Sequence, residues 1–258
     1  MGERDKNSTD SDSLPPLPKS MNVLVPLAGN GARFKAAGYT EPKPLIPITR
    51  KRSGEGKPMI DWALSSLRPK CPHSLILIAK HEVFGQYQTD AVRISIGETT
   101  GGAACTALMA RELIDTNEPL LIGNCDQFVE WDVDAFLAWA YASGGDGAIA
   151  TFQSDGNPKW SYVRTEQGRV VEVAEKRPIS DEATVGIYWF RRGKDFVKAA
   201  DAMIRKADFV NGEAYLAPTF NYLKGPVYPY RIERMWGLGT PEDMDNFRRL
   251  APVAVGGD

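Results

Sequence analysis

Apolar residues in this chain come in short blocks separated by glycine- and proline-rich punctuation, and the blocks predict alternating strands and helices. The first block, residues 22–27 (NVLVPL), reads as the first, buried strand of a sheet. It breaks at Ala28-Gly29-Asn30-Gly31, where glycine lets the backbone turn tightly and approach a ligand. Residues 32–37 predict a short helix ended by Gly38, and Pro42 and Pro44 hold an extended segment. Residues 49–56 (TRKRSGEG) read as a basic loop at an exposed hairpin. A helix then starts near Met59, with Ile60, Ala63, Leu64 and Leu67 on one face. A buried strand at 74–79, a short helix at 81–87 and a strand at 91–96 follow. The segment Thr99-Thr100-Gly101-Gly102-Ala103-Ala104 precedes a helix running through 108–114. A strand at 119–123 ends at Asn124-Cys125-Asp126-Gln127, a helix covers 135–141, and a fifth strand covers 147–152. This alternation predicts a largely parallel, three-layered sheet.

The pattern changes after residue 153. Residues 160–164 and 170–173 read as antiparallel strands joined at Gln167-Gly168, followed by a strand at 183–190 and a helix at 194–206. Residues 228–236 predict a last strand, and Thr240-Pro241-Glu242-Asp243 the capped start of a final helix. Residues 1–20 are polar, with almost no core-forming side chains, and are expected to be a disordered tail; residues 21–250 are expected to form a single domain.

Composition narrows the class. The 258 residues are 43% hydrophobic and 25% charged, which suits one large α/β domain or two small ones. The formal net charge of -2 gives no reason to expect nucleic acid or a membrane as partner, although a local group of cations could serve a phosphorylated small molecule. The 3 cysteines, Cys71, Cys105 and Cys125, are odd in number and scattered, which argues against a disulfide framework or a structural zinc site. No apolar run is long enough to span a bilayer, and the N-terminus lacks a signal-peptide core, so a cytoplasmic enzyme is the expectation. Oligomeric state stays open, with a homo-oligomer among the options.

The candidate chemistry lies next to the first glycine turn. Backbone N–H groups in such a turn can hold phosphate oxygens with no side chain in the way. Arg33 follows at once with a planar fork suited to phosphate, and Lys43 sits between two prolines as a fixed point charge. That is the layout of a triphosphate site. The chain has no Gly-Lys-Ser/Thr, which excludes a P-loop, and Phe34 after Arg33 leaves the dinucleotide fingerprint without its third glycine. Asp126 comes just after a predicted strand, at the carboxyl end where open parallel sheets bind ligands, and is well placed to hold Mg²⁺.

The stretch from Leu27 to Phe34, with Glu41-Pro42-Lys43-Pro44-Leu45, resembles the signature of the nucleotidylyltransferases that activate sugar phosphates, and the resemblance extends over essentially residues 21–248. It implies a three-layer α/β/α Rossmann-like fold with a mixed, mainly parallel central sheet and a small antiparallel substrate-binding part. Residues 21–152 would be the nucleotide-binding half and 153–250 the acceptor-binding half. The nucleotide would meet Leu27, Ala28, Gly29 and Gly31 on one side and Gly101, Gly102 and Ala103 on the other. Arg33, Lys43 and Lys176 would be catalytic, with Mg²⁺ on Asp126 as cofactor. Glu175-Lys176-Arg177-Pro178 resembles the family's Glu-Lys-Pro segment, with Arg177 inserted, and Lys176 would bind the acceptor phosphate. Glu175, Gly186 and Glu213 would complete the acceptor pocket; Trp160 is a candidate for it and equally a core residue.

One departure stands out. In Met235-Trp236-Gly237-Leu238-Gly239-Thr240, Gly237 occupies the place of the family's second metal-binding aspartate. Either another carboxylate such as Glu213 replaces it, or one aspartate suffices with phosphates and water. The implied activity is transfer of an NMP from an NTP (CTP, UTP or dTTP) to a sugar phosphate or other small phosphorylated metabolite, with release of pyrophosphate. The whole set, including Lys-Trp-Ser-Tyr, Asn-Gly-Glu and Gly-Thr-Pro-Glu-Asp, looks most like a branch associated with capsule and surface-polysaccharide synthesis, related to cytidylyltransferases acting on acceptors such as phosphoglutamine. Two rivals remain. One is a glycosyltransferase of the GT-A type, which would need a metal-binding Asp-x-Asp; Asp132-Val133-Asp134 reads instead as a helix start. The other is a module that binds a nucleotide without turning it over.

Overall fold

The computed structural model describes residues 16–49 and 56–250. Most of the expected tail, and the tip of the expected hairpin at 49–56, lie outside the described residues. The first half comprises β1 (Met21–Pro26), α1 (Ala32–Ala36), β2 (Pro47–Ile48), β3 (Lys57–Pro58), α2 (Met59–Ser65), β4 (His73–Lys80), α3 (His81–Phe84) and β5 (Val92–Ile96). It continues with α4 (Ala103–Leu108), α5 (Arg111–Ile114), β6 (Leu120–Gly123), β7 (Gln127–Val129), α6 (Val133–Ala142) and β8 (Gly147–Gln153). The second half adds β9 (Ser161–Glu166), β10 (Arg169–Glu175), β11 (Glu182–Phe190), α7 (Gly193–Arg205), β12 (Val227–Arg231), β13 (Met235–Gly237) and α8 (Pro241–Leu250).

The main sheet runs β10-β9-β11-β6-β1-β4-β5, with β8 also against β11 and β12 against β8. Strands β6, β1, β4 and β5 are parallel, and β11 joins β6 antiparallel. All six residues of β1 are buried, because successive side chains enter opposite layers. Leu24 packs with Ala104 and Ala107 of α4 and Phe196 of α7, whereas Val23 and Val25 pack with Ile60 and Leu64 of α2 and Phe136 of α6. Helices thus cover both faces of a mixed, mostly parallel sheet, the α/β class the alternation predicts.

Three details differ from the sequence reading. The fifth strand, β8, is not a neighbour of β6; the apolar β11 lies between them and is antiparallel to both. The helix expected through 108–114 is two short ones, because Ala110 takes non-helical angles (φ -90, ψ 11) while its methyl group is buried in the core. The last strand divides where exposed Glu233 and Arg234 follow Ile232, so that β12 stays in the main sheet and β13 pairs with β7 in a separate ribbon. Elsewhere local chemistry acts as expected. Gln167 (φ 50) and Gly168 (φ 76) make the two-residue turn of the β9–β10 hairpin, whose positive dihedrals match strand twist. The Thr240 hydroxyl accepts from the Asp243 N–H at 3.1 Å and caps α8. The Asp132 carboxylate accepts from the N–H groups of Asp134 and Ala135, so Asp132-Val133-Asp134 is a helix cap.

Candidate active site

A cleft of about 540 Å³ opens beyond the carboxyl ends of β1 and β6. The turn after β1 and the Thr99–Ala103 segment form one side; Lys159, Trp160, Lys176, the Gly186 bend and residues 213–217 contribute the other. Of the residues singled out from sequence, Leu27, Ala28, Gly29, Gly31, Arg33, Lys43, Gly102, Ala103, Asp126, Trp160, Glu175, Lys176, Gly186 and Glu213 all line it. Gly101 is the exception: its carbonyl faces Ala214 and accepts that residue's N–H at 2.8 Å.

The glycine turn is shaped around Lys43. Gly31 has φ +61, and a Cβ there would come within 3.0 Å of the Lys43 Cβ, so the small residue lets the lysine stem pack beneath the turn. At Gly29 nothing lies within 4 Å of a would-be Cβ, which leaves the backbone open towards the cleft. The Lys43 ammonium contacts Asp126 Oδ2 at 2.5 Å, with the two side chains 17% and 29% exposed. Burial works against this cation, but Asp126, aided by Cys125, outweighs it and holds its pKa above the ordinary lysine value. Asn30, which the sequence reading passed over, anchors the turn from outside: its Oδ1 accepts from Lys80 Nζ and from the Thr99 hydroxyl, each at 2.6 Å.

Asp126 is held by its surroundings. Its carbonyl accepts the Leu238 N–H at 2.7 Å, and a Cβ on Gly239 would reach 3.0 Å from Oδ2. Next to it, Gly186 (φ +85) bends β11 so tightly that a Cβ would meet Asn124 Nδ2 at 2.5 Å and Gln127 Oε1 at 2.9 Å. Its carbonyl receives the Asn124 N–H at 2.9 Å and Gln127 Nε2 at 3.1 Å. The Gly186 bend therefore positions the loop that carries Asp126 from β11.

Lys176 lies across the cleft in the left-handed region (φ 54), its N–H on the Trp160 carbonyl at 3.0 Å. Its ammonium donates to the Tyr215 hydroxyl and sits 4.3 Å from that ring's centre. Glu175 hydrogen-bonds the Ser161 hydroxyl, and burial pushes its carboxyl above the usual range despite that bond and Lys176. Trp160 both packs and lines: it meets Phe152 edge-on at 5.5 Å and carries the Lys159 ammonium 4.5 Å from its ring centre.

The place of the absent aspartate is also defined. A Cβ on Gly237 would lie 3.2 Å from the Trp160 ring and 3.6 Å from Asp243 Oδ2. Asp243, which pairs with Lys159 at 2.6 Å, thus brings its carboxylate to position 237 from α8. In the sequence Asp243 belongs to the capped helix start and to the Gly-Thr-Pro-Glu-Asp segment, with no metal role assigned to it. Glu213 instead neighbours Tyr215, whose phenol burial and this carboxylate keep protonated. Among the described residues, no three His, Cys, Asp or Glu side chains converge as a metal cage. A donor set of one or two carboxylates fits Mg²⁺, which keeps most of its shell as water and substrate phosphate.

Cys125, beside Asp126, has a thiol raised by burial to about 11, with Lys43 only partly opposing the shift. It is expected to stay protonated at pH 8 and to react with iodoacetamide roughly a hundredfold more slowly than a free cysteine. Mass spectrometry of the labelled peptides reads this directly; labelling as fast as a free thiol would contradict the burial.

An α/β sheet with a glycine turn, paired cations and a carboxylate at its strand ends belongs to the class of nucleotide-handling Rossmann-like enzymes. The chain belongs to the nucleotidyl transferase family, whose model matches residues 23–212. It is 24% identical over 240 residues to the catalytic subunit beta of mannose-1-phosphate guanylyltransferase from Danio rerio, covering 86% of this chain and 62% of that protein. Over 177 residues it is 25% identical to the bifunctional protein GlmU of Methanocaldococcus jannaschii, covering 66% and 40%. The chain therefore spans less than two thirds of the length of these relatives. Among solved structures, a glucose-1-phosphate thymidylyltransferase described as putative, from Bacillus anthracis, superimposes with a TM-score of 0.74 at 17% identity, covering 93% of this chain and 98% of that one. A nucleoside-diphosphate-sugar pyrophosphorylase from Vibrio cholerae superimposes with a TM-score of 0.70 at 23% identity, covering 88% and 99%. These likenesses establish the fold. Among the described residues no helix is long and apolar enough to cross a membrane.

Proposed function

We propose that the protein transfers a nucleoside monophosphate from an NTP to a sugar phosphate, releasing pyrophosphate. The observation that carries this reading is the placement of Lys43–Asp126 and Lys176 in one cleft with the open turn at Gly29. An oxygen of the acceptor phosphate attacks the α-phosphorus, the bond to the β-phosphate oxygen breaks, and pyrophosphate leaves with its electrons. The acceptor is already an anion, so no general base or covalent nucleophile is needed; alignment and charge neutralisation suffice. Lys176 holds the acceptor phosphate, Lys43 faces the transferring group, and the turn N–H groups with Arg33 take the departing phosphates. Asp126, with Asp243 as a further carboxylate lining the same cleft, would hold Mg²⁺, which supplies positive charge to the phosphates when bound. The names of the relatives, which include mannose-1-phosphate guanylyltransferase, favour a hexose 1-phosphate acceptor. A narrower reading, cytidylyl transfer in surface-polysaccharide synthesis, rests on the local resemblance of residues 159–162, 211–213 and 239–243.

The test is pyrophosphate release by the full chain with Mg²⁺, using ATP, GTP, CTP, UTP and dTTP against mannose, glucose and N-acetylglucosamine 1-phosphates and phosphoglutamine. At least one pair is expected to turn over at about 1 s⁻¹ or faster. Silence from every pair would remove this function, and nucleotide binding without turnover would favour the non-catalytic module.

A further inference from the structure

Tyr215 has no part in the chemistry described so far, yet it is where the two sides of the cleft meet. The Lys176 ammonium donates to its hydroxyl and lies 4.3 Å from its ring centre. A lysine side chain loses considerable rotamer freedom when held, so a group that holds it before substrate arrives removes that cost from binding. The backbone beside Tyr215 faces the other way. Ala214 donates to the Gly101 carbonyl at 2.8 Å and accepts from the Ala104 N–H at 2.9 Å, which joins it to the loop on the nucleotide side. At Gly102 (φ +126) a Cβ would lie 2.4 Å from the Ala214 oxygen, so the two backbones touch with no space between them. Residues 214 and 215 are one rigid link: the backbone is fixed to the nucleotide loop and the next side chain to the acceptor lysine. These residues also lie just beyond the span matched by the family model.

We infer that Tyr215 is the positioning residue that pre-sets Lys176 for the acceptor phosphate and ties it to the Gly101–Gly102 loop. This rests on the function proposed above. Lys176 would touch the acceptor phosphate equally before and during transfer, so loosening it weakens acceptor binding and leaves the chemical step alone.

The decisive variant is Tyr215→Phe, which keeps the ring and removes only the hydroxyl. With the most active hexose 1-phosphate, its KM for acceptor should rise about tenfold, the usual weight of a hydrogen bond to a charged group, while kcat and the NTP KM stay within about twofold. Tyr215→Leu, which also removes the ring, should raise acceptor KM further. In the Lys176→Met background, Tyr215→Phe should have no added effect on acceptor KM. A second readout needs no turnover: trinitrobenzenesulfonate labelling of Lys176, followed by mass spectrometry of the unliganded protein, should be several-fold faster in Tyr215→Phe than in wild type. Unchanged labelling overturns the inference whatever the activity. Faster labelling with an unchanged acceptor KM also overturns it, because the contact would then have no bearing on binding. If wild type releases no pyrophosphate with any pair, the proposed function falls instead, and with it the acceptor role inferred for Tyr215.

Discussion

If the proposed function holds, Asp126→Asn is expected to reduce pyrophosphate release roughly a thousandfold, because it removes the carboxylate proposed to hold the Mg²⁺ that would offset transition-state phosphate charge. Asparagine keeps the shape of the side chain and the Leu238 N–H bond to the Asp126 carbonyl, so the loop should keep its path. The variant also leaves the Lys43 ammonium, only 17% exposed, without its anion. A stability loss of about 2 kcal/mol should accompany the activity loss, because a largely buried cation has lost its partner. The pH dependence has a defined sign. In wild type the Lys43 pKa is held above its ordinary value, since Asp126 outweighs burial. Its contribution is therefore complete below the unfolded-state value and is lost only as pH rises through the folded value. The melting difference between wild type and variant should be flat from roughly pH 6 to 9 and narrow in stronger alkali. Chemical denaturation and pyrophosphate assays measure the two effects separately. A variant with near-normal turnover would take Asp126 out of the reaction.

The second large effect is expected at Gly102. Gly102→Ala forces a side chain into φ +126 and drives its Cβ to 2.4 Å from the Ala214 carbonyl oxygen. Backbone contacts yield little, so the loop must either leave its partner or unfold locally. A loss of about 3 kcal/mol is expected, which for a chain of this size lowers the melting temperature by about 10 °C. At temperatures where the variant is folded, both the NTP and the acceptor KM should rise, because the displaced loop and the 213–215 segment serve opposite sides of the cleft. Calorimetry and a two-substrate kinetic matrix decide this; a wild-type melting temperature would mean that the loop relaxes freely.

The glycine-turn side of the candidate site was legible in the sequence because its parts are local. A buried strand, a turn that needs glycine, an arginine two residues on and a lysine fixed by prolines all lie within residues 22–45, and each carries its own physical meaning. Asp126 was legible because it follows a strand end. Gly186 and Lys176 were reached through resemblance, although what makes Gly186 necessary, its approach to Asn124 and Gln127, is a tertiary fact. Tyr215 and Asp243 were out of reach for the same reason. Tyr215 meets Lys176, 39 positions away, and Asp243 meets Lys159, 84 positions away, besides reaching the place of Gly237; neither contact is marked in its own segment. The sheet order shows the limit at a larger scale. Apolar content identified β11 as a strand, but no periodicity states which neighbours it will choose, and it took the place beside β6 that simple alternation gives to β8.

That choice has a consequence for how the chain is made. Parallel βα units can ordinarily accumulate as they leave the ribosome, each new strand adding to the last. Here β6 waits for a neighbour that is synthesised some sixty residues later, and β8 waits for the same strand. Until β11 has emerged, the free edge of β6 and both edges of β8 lack partners, and both strands are rich in buried apolar positions. The arrival of β11 covers the open edge of β6 and one edge of β8, and through Gly186 it also fixes the loop that carries Asp126; the other edge of β8 is covered by β12. One strand thus both covers the open edge of β6 and braces the loop that carries Asp126, so edge protection and the positioning of the candidate site fall to the same segment of the polypeptide.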